Sequence, residues 1–328
     1  MIEPIHFPSR PFDPTFADPR IVRFNQDLRA ASSEAPARTE IPLEIERTRL
    51  VGNGKLKIAQ SDKPTEISTF SIPGPAGDLT VRKLIPKQNA DPIGIYLHFH
   101  GGGFCLGSSA GQDGLLSNLA HEAGVVVLSL DYRLAPENPY PAGLADGEAA
   151  AWWLVKQCAA EFGTSQIVLG GESAGAYLTL TTALRLRDRH GFESLAGLNL
   201  SQGGYDLRMT PSMQNADDTL VLDRPTFLLH MGRLFRDSSQ RHDLQSNPLY
   251  ADLRRLPRSH ITVGTIDPLI DDNMFLYMRL LCANVDAEMN IYPGGFHGFN
   301  LVGTPLAESA NHRIHCFVRD SCTNNRPR

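Results

Sequence analysis

Two serines sit in the same five-residue frame: residues 171–175 read GESAG and residues 107–111 read GSSAG. A serine held between glycines on a sharp turn is the arrangement of an acyl-transfer nucleophile. In a chain with 28 glycines the pattern alone is weak, so the surroundings decide. Ser173 follows the apolar run QIVLGG and precedes AGAYLTLTTALRL, a helical stretch, with a turn of four or five residues predicted between them. Any side chain at Gly171 or Gly175 would strike the neighbouring strand or helix, and a helix starting at Ala174 aims its first N–H groups at the serine. Ser109 has no convincing strand before it, and the helix after it is one that Ser108 or Ser109 would cap. Ser173 is therefore the predicted nucleophile and Ser109 a chance match.

A serine hydroxyl reacts only when a base takes its proton and a third group orients that base. Of 11 histidines, His297 is singled out because YPGGFHGFN follows the last strand signal and its glycines let the loop fold back over the sheet. His190 ends a helix, and His312 and His315 lie in the final one. The orienting carboxylate should stand just past a strand, where HITVGTIDPLIDD places Asp267. Asp271 is the alternative on the same loop, while Asp271 and Asp272 also read as the cap and first turn of the next helix. The chain order Ser, Asp, His is that of an α/β-hydrolase.

A further signal is HFHGGGF, residues 98–104, directly after a strand. Bare glycine backbone can approach a substrate carbonyl and offer N–H donors to the charge that develops there. The Lys-Ser/Thr ending of a phosphate-binding loop is missing, as is a G-x-G-x-x-G at the first helix. His98 and His100 lack a nearby third ligand; His100 is expected to be structural, and neither a metal nor a cofactor is called for.

These residues need a sheet to hold them. EISTFSI and LTVRKLI alternate around the turn-rich PGPAGD and read as an antiparallel pair. Short apolar runs then follow at 93–99, 125–130, 166–170, 195–200, 260–264 and 287–292, separated by stretches of helical length. Such alternation predicts an α/β fold with a mostly parallel sheet covered on both faces. Almost sixty residues separate the strands near Leu200 and His260, too many for a connection, and are expected to form an inserted cap. Within it, Tyr205, Phe227, Leu228 and Met231 are expected mainly as packing rather than cavity lining. Residues 1–62 read as a helical extension.

With 31 basic and 36 acidic residues, net charge −5 and no long run of one sign, the chain lacks a nucleic-acid footprint. Cys105, Cys158, Cys282, Cys316 and Cys322 show neither disulfide-framework nor zinc spacing. The proline-broken start is not a signal peptide and no stretch of about 18 apolar residues occurs, so a cytoplasmic protein is expected.

Taken together, HGGGF at 100, DYRLAPENPYPAGLAD at 131, GESAG at 171, LPRSHITVGTIDPLIDD at 256 and HGF at 297 resemble the hormone-sensitive-lipase-like esterases, the bacterial family IV branch of the α/β-hydrolases. The resemblance spans about residues 66–320. It implies Ser173 as nucleophile, His297 as base, Asp267 as orienter, and an oxyanion hole of the Gly102, Gly103 and Ala174 N–H groups. It further implies an eight-stranded α/β-hydrolase sheet, in core segments 63–204 and 247–328, under a helical cap from 1–62 and 205–246. The function implied is cofactor-free hydrolysis of small short-chain carboxylic esters through an acyl-enzyme, in a family where homodimers are common. Glu172 departs from the Asp or Thr common before the family's serine. Alternatives are an amidase or lactonase on the same site, or a non-catalytic small-ligand receptor.

Overall fold

The computed structural model describes residues 12–33, 36, 38–48, 58–87 and 91–323. The remaining parts of the predicted N-terminal extension, 1–11, 34–35, 37 and 49–57, lie outside the described residues. Eight strands form one sheet: β1 (Thr65–Gly74), β2 (Gly77–Pro86), β3 (Ile95–Phe99), β4 (Val126–Leu130), β5 (Ile167–Glu172), β6 (Gly197–Ser201), β7 (Ser259–Gly264) and β8 (Ala287–Tyr292). Their order is β1-β2-β4-β3-β5-β6-β7-β8. β2 runs antiparallel to both β1 and β4, and every pairing from β4 to β8 is parallel. The first two strands reach further into their connector than the sequence suggests, with Gly74 paired to Gly77.

The helices are α1 (Pro19–Ser33), α2 (Leu43–Thr48), α3 (Asp113–Ala123), α4 (Ala142–Phe162), α5 (Ala174–His190), α6 (Pro211–Gln214), α7 (Arg224–Leu234), α8 (Ile270–Cys282) and α9 (Pro305–Thr323). Strand side chains alternate between faces, and the core divides accordingly. Ile95, Leu97 and Phe99 of β3, with Val126, Leu128 and Leu130 of β4, pack with Leu154 of α4 and Leu178 of α5. Tyr96 and Val127, one residue out of phase, pack with Leu116 and Ala120 of α3 and Ile314 and Phe317 of α9. Each fully buried Val, Leu, Ile or Phe side chain among these is worth about 1.5–3 kcal/mol. The near-continuous apolar strands are thus explained by helices on both faces.

The long interval before β7 holds α6, α7 and short 3-10 turns. Tyr205, Phe227 and Met231 are buried in the main core, as expected, whereas Leu228 is exposed. The N-terminal segment meets this insertion: Arg233 of α7 donates to Glu46 of α2 at 2.7 Å.

Two helix-cap expectations are corrected. The N-cap position of α3 is Gln112, whose side chain makes no cap bond, and neither Ser108 nor Ser109 occupies it. Ser109 instead donates its N–H and hydroxyl to Asp131, at 2.6 and 2.7 Å, because that half-buried carboxylate offers one oxygen to each. At α8 the cap position is Leu269, and Asp271 and Asp272 both lie in the first turn. Their carboxylates reach across to the insertion: Asp271 accepts from the Ser212 N–H, and Asp272 from the N–H groups of Tyr205 and Asp206 and the Thr210 hydroxyl.

Candidate active site

β5 runs through Glu172 and α5 begins at Ala174, so Ser173 alone makes the turn. That is tighter than the four or five residues expected, and the backbone shows it: Ser173 has φ 57° and ψ −119°, a conformation that L-residues rarely adopt. The glycine requirement is steric. A Cβ at Gly171 would stand 2.2 Å from the Phe99 carbonyl oxygen, and one at Gly175 1.9 Å from the same atom. With glycine at both positions, β3 and the start of α5 approach closely and the serine is held clear of the sheet.

The loops after β7 and β8 bring the other two residues to it. His297 Nε2 lies 2.9 Å from Ser173 Oγ, and its Nδ1 lies 3.1 and 3.0 Å from the two oxygens of Asp267. With the ring proton on Nδ1, that nitrogen donates to the carboxylate while Nε2 accepts from the serine hydroxyl. Asp267 is fully enclosed and also accepts from the Leu269 N–H at 2.9 Å. Asp271 takes no part in this relay, and the hydroxyl of Ser109 meets a carboxylate rather than an imidazole.

Gly102 and Gly103 turn the chain after β3 with φ of 117° and 58°, where a side chain would be strained. Both line one cavity of about 320 Å³ with Ser173 and His297. Their N–H groups, and that of Ala174 at the first position of α5, donate to no acceptor among the described residues. An oxygen bearing developing charge is the complement of such donors.

A family model described as alpha/beta hydrolase fold matches residues 96–301, the span carrying all of these residues. The chain belongs to that family. This hydrolase is 32% identical over 241 residues to an acetyl esterase of Salmonella schwarzengrund, covering 70% of this chain and 72% of that protein. It is 32% identical over 261 residues to esterase LipI of Mycobacterium tuberculosis, covering 74% and 78% of the two. Among solved structures, a hyperthermophilic esterase from Pyrobaculum calidifontis superposes with TM-score 0.82 at 25% identity, covering 93% of this chain and 98% of that one. These relatives, with the motif set, place the hydrolase in the hormone-sensitive-lipase-like branch.

Glu172, the departure noted in the sequence, ties the end of β5 to the glycine loop after β3. The buried carboxylate accepts from the Gly101 N–H at 2.7 Å, from the Gln112 side chain, and from His98 Nε2 at 3.1 Å. Burial by itself would raise its pKa; His98, Gln112 and the Gly101 N–H outweigh burial and hold the carboxyl below its usual range. His98 is therefore a partner of Glu172 and of Ser129, at 2.9 Å. His100 points elsewhere, donating from Nδ1 to the Gly101 carbonyl at 2.8 Å and stacking on Tyr132 at 4.3 Å between ring centroids, which fits its structural reading.

Sequence reasoning missed Gln202. Its side chain accepts from the Gly298 N–H and donates to Asn300 at 2.7 Å, so it fixes the loop on which His297 rides. The available signal was its place just past β6. Arg38, Glu46 and His230, which also line the cavity, had no such signal.

Proposed function

We propose that Ser173, His297 and Asp267 carry out the hydrolysis of short-chain carboxylic esters by this carboxylic ester hydrolase. Ser173 Oγ attacks the ester carbonyl as His297 Nε2 takes its proton, and Asp267 steadies the imidazolium that forms. The N–H groups of Gly102, Gly103 and Ala174 receive the oxyanion. His297 then gives the proton to the departing alcohol, leaving an acyl-Ser173. A water deprotonated by His297 attacks that ester, and the acid leaves with Ser173 restored. The observation that carries the reading is the continuous Ser173–His297–Asp267 hydrogen-bond chain at 2.9 to 3.1 Å, opening into the cavity.

The short-chain preference is supported by the limited cavity and by the acetyl esterase among the relatives. In this reading residues 1–62 and 205–246 form the cap over core segments 63–204 and 247–328, supported by the Arg233–Glu46 ion pair between the two cap segments. Among the described residues no helix is long and apolar enough to cross a membrane. A cytoplasmic compartment and a homodimer complete the proposal; cell fractionation and sedimentation velocity test them. The central test is a p-nitrophenyl ester series of increasing acyl length, run on wild type, Ser173→Ala and Ser109→Ala. Turnover should vanish in Ser173→Ala alone and decline as the acyl chain lengthens.

A further inference from the structure

The cap contributes a charged wall to the cavity that holds Ser173. Arg38, half-buried, lines it together with Glu46 and His230. Among the described residues no carboxylate pairs with the Arg38 guanidinium; Glu46 and Asp223 act on it only at a distance. Both of those carboxylates are committed elsewhere. Glu46 accepts from Arg233 at 2.7 Å, and Asp223 caps α7 by accepting from the Thr226 N–H at 2.8 Å. Burial lowers the pKa of Arg38 from its ordinary value, outweighing the two carboxylates, as it does for a cation withdrawn from water without a counter-ion in contact.

The same wall carries two more unsatisfied atoms. Glu46 Oε1 and His230 Nε2 are buried without a hydrogen-bond partner and lie 3.7 Å apart, too far to bond to each other. Both atoms are enclosed within the wall, so the group there that faces the cavity without a partner in contact is Arg38. Its charge decides the kind of ligand. Glu46 is neutralised by Arg233, leaving Arg38 as the lining cation without a contacting anion. A planar carboxylate matches a guanidinium fork, and a partly desolvated pair of that kind is stronger than one in water.

We propose that this hydrolase takes esters bearing a free carboxylate remote from the scissile bond, with Arg38 as the residue that holds it. The proposal rests on the esterase reading of Ser173 and names the substrate class for that site. The reaction is unchanged: water adds across the acyl–oxygen bond to give an acid and an alcohol, while the remote carboxylate stays intact. That carboxylate can enter on the acyl part, as in a half-ester of a dicarboxylic acid, or on the alcohol part.

The test measures acid release at neutral pH from two matched sets. Monoethyl glutarate is compared with its terminal amide and with ethyl 5-hydroxypentanoate; 4-acetoxybutyrate is compared with 4-acetoxybutyramide. Wild type should favour the carboxylate over its amide by about tenfold or more in kcat/KM in at least one set, mainly through KM. The set that shows it identifies the side of the ester on which the carboxylate lies. Arg38→Gln should bring that ratio close to one, and Arg38→Lys should retain part of it. Equal wild-type turnover of carboxylate and amide, a stronger preference for the hydroxy ester, or a ratio that survives Arg38→Gln overturns the proposal while leaving the esterase reading intact. Failure to cleave any ester overturns both.

Discussion

His297 Nε2 stands 2.9 Å from Ser173 Oγ, although 124 residues separate the two in the chain. The loop after β8 folds back over the carboxyl end of the sheet to reach the turn after β5, and Gln202 after β6 holds it there through Gly298 and Asn300. Removing either end of this bond should abolish turnover without unfolding the protein. Ser173→Ala and His297→Ala are each expected to lower kcat by about 10⁴- to 10⁶-fold, and Asp267→Asn by about 10⁴-fold. Steady-state kinetics beside circular dichroism check this; folded Ser173→Ala protein with undiminished turnover would remove Ser173 from the mechanism.

Close packing around Ser173 predicts a different kind of failure. Gly171→Ala and Gly175→Ala would each force a methyl to within about 2 Å of the Phe99 carbonyl oxygen. Destabilisation on the order of 3 kcal/mol or more is expected for either, from overpacking that backbone cannot relieve locally. Urea unfolding measures it. Gly232→Ala, whose added Cβ meets nothing within 4 Å, is the control and should change little.

Glu172 is expected to act as a positioning residue through the glycine loop. Glu172→Ala removes the acceptor for Gly101, Gln112 and His98 together, so the N–H groups of Gly102 and Gly103 lose their anchor. Because those donors matter most once charge develops on the substrate oxygen, kcat should fall about 10- to 100-fold with little change in KM. Glu172→Gln, which keeps an acceptor for the Gly101 N–H, should recover part of the loss. Equal effects of the two variants on KM alone would contradict a role in the oxyanion hole.

Asp272 predicts how stability depends on pH. Burial pushes its carboxyl up to about 7, against the hydrogen bonds from Thr210 and the N–H groups of Asp206 and Tyr205. In the unfolded chain an aspartate titrates near about 4. Below that value both states carry the proton. As pH rises from about 4 towards 7 the unfolded chain releases it first, so Asp272's contribution to stability is full in acid and is lost through neutrality. Asp272→Asn, whose amide can donate to the Thr210 hydroxyl while its oxygen still accepts from the two N–H groups, should flatten that part of the profile. Melting temperatures between pH 4 and 8 for both proteins decide it; parallel curves would show that Asp272 is ionised throughout.

Residue types and their local order were enough to anticipate the strand–helix alternation, and they single out Ser173, the glycines around it and the HGGGF loop, which the fold brings to one cavity. Each of these is a short-range constraint: a tight turn needs small neighbours, and an apolar run of strand length needs cover on both sides. Local order favoured Asp267 and kept Asp271 as the alternative on the same loop, and the fold directs Asp267 at His297 while Asp271 turns to Ser212. The same local order assigned caps to Ser108 or Ser109 and to Asp271 because such residue types favour helix starts, whereas long-range partners claimed Ser109 and Asp271 instead. Strand order, the ties from Glu172 and Gln202, and the arrival of Arg38 and Glu46 in the cavity wall were decided by tertiary structure alone. These are contacts between distant segments, set by which surfaces can be buried together and which polar groups then find partners, and no local periodicity records them.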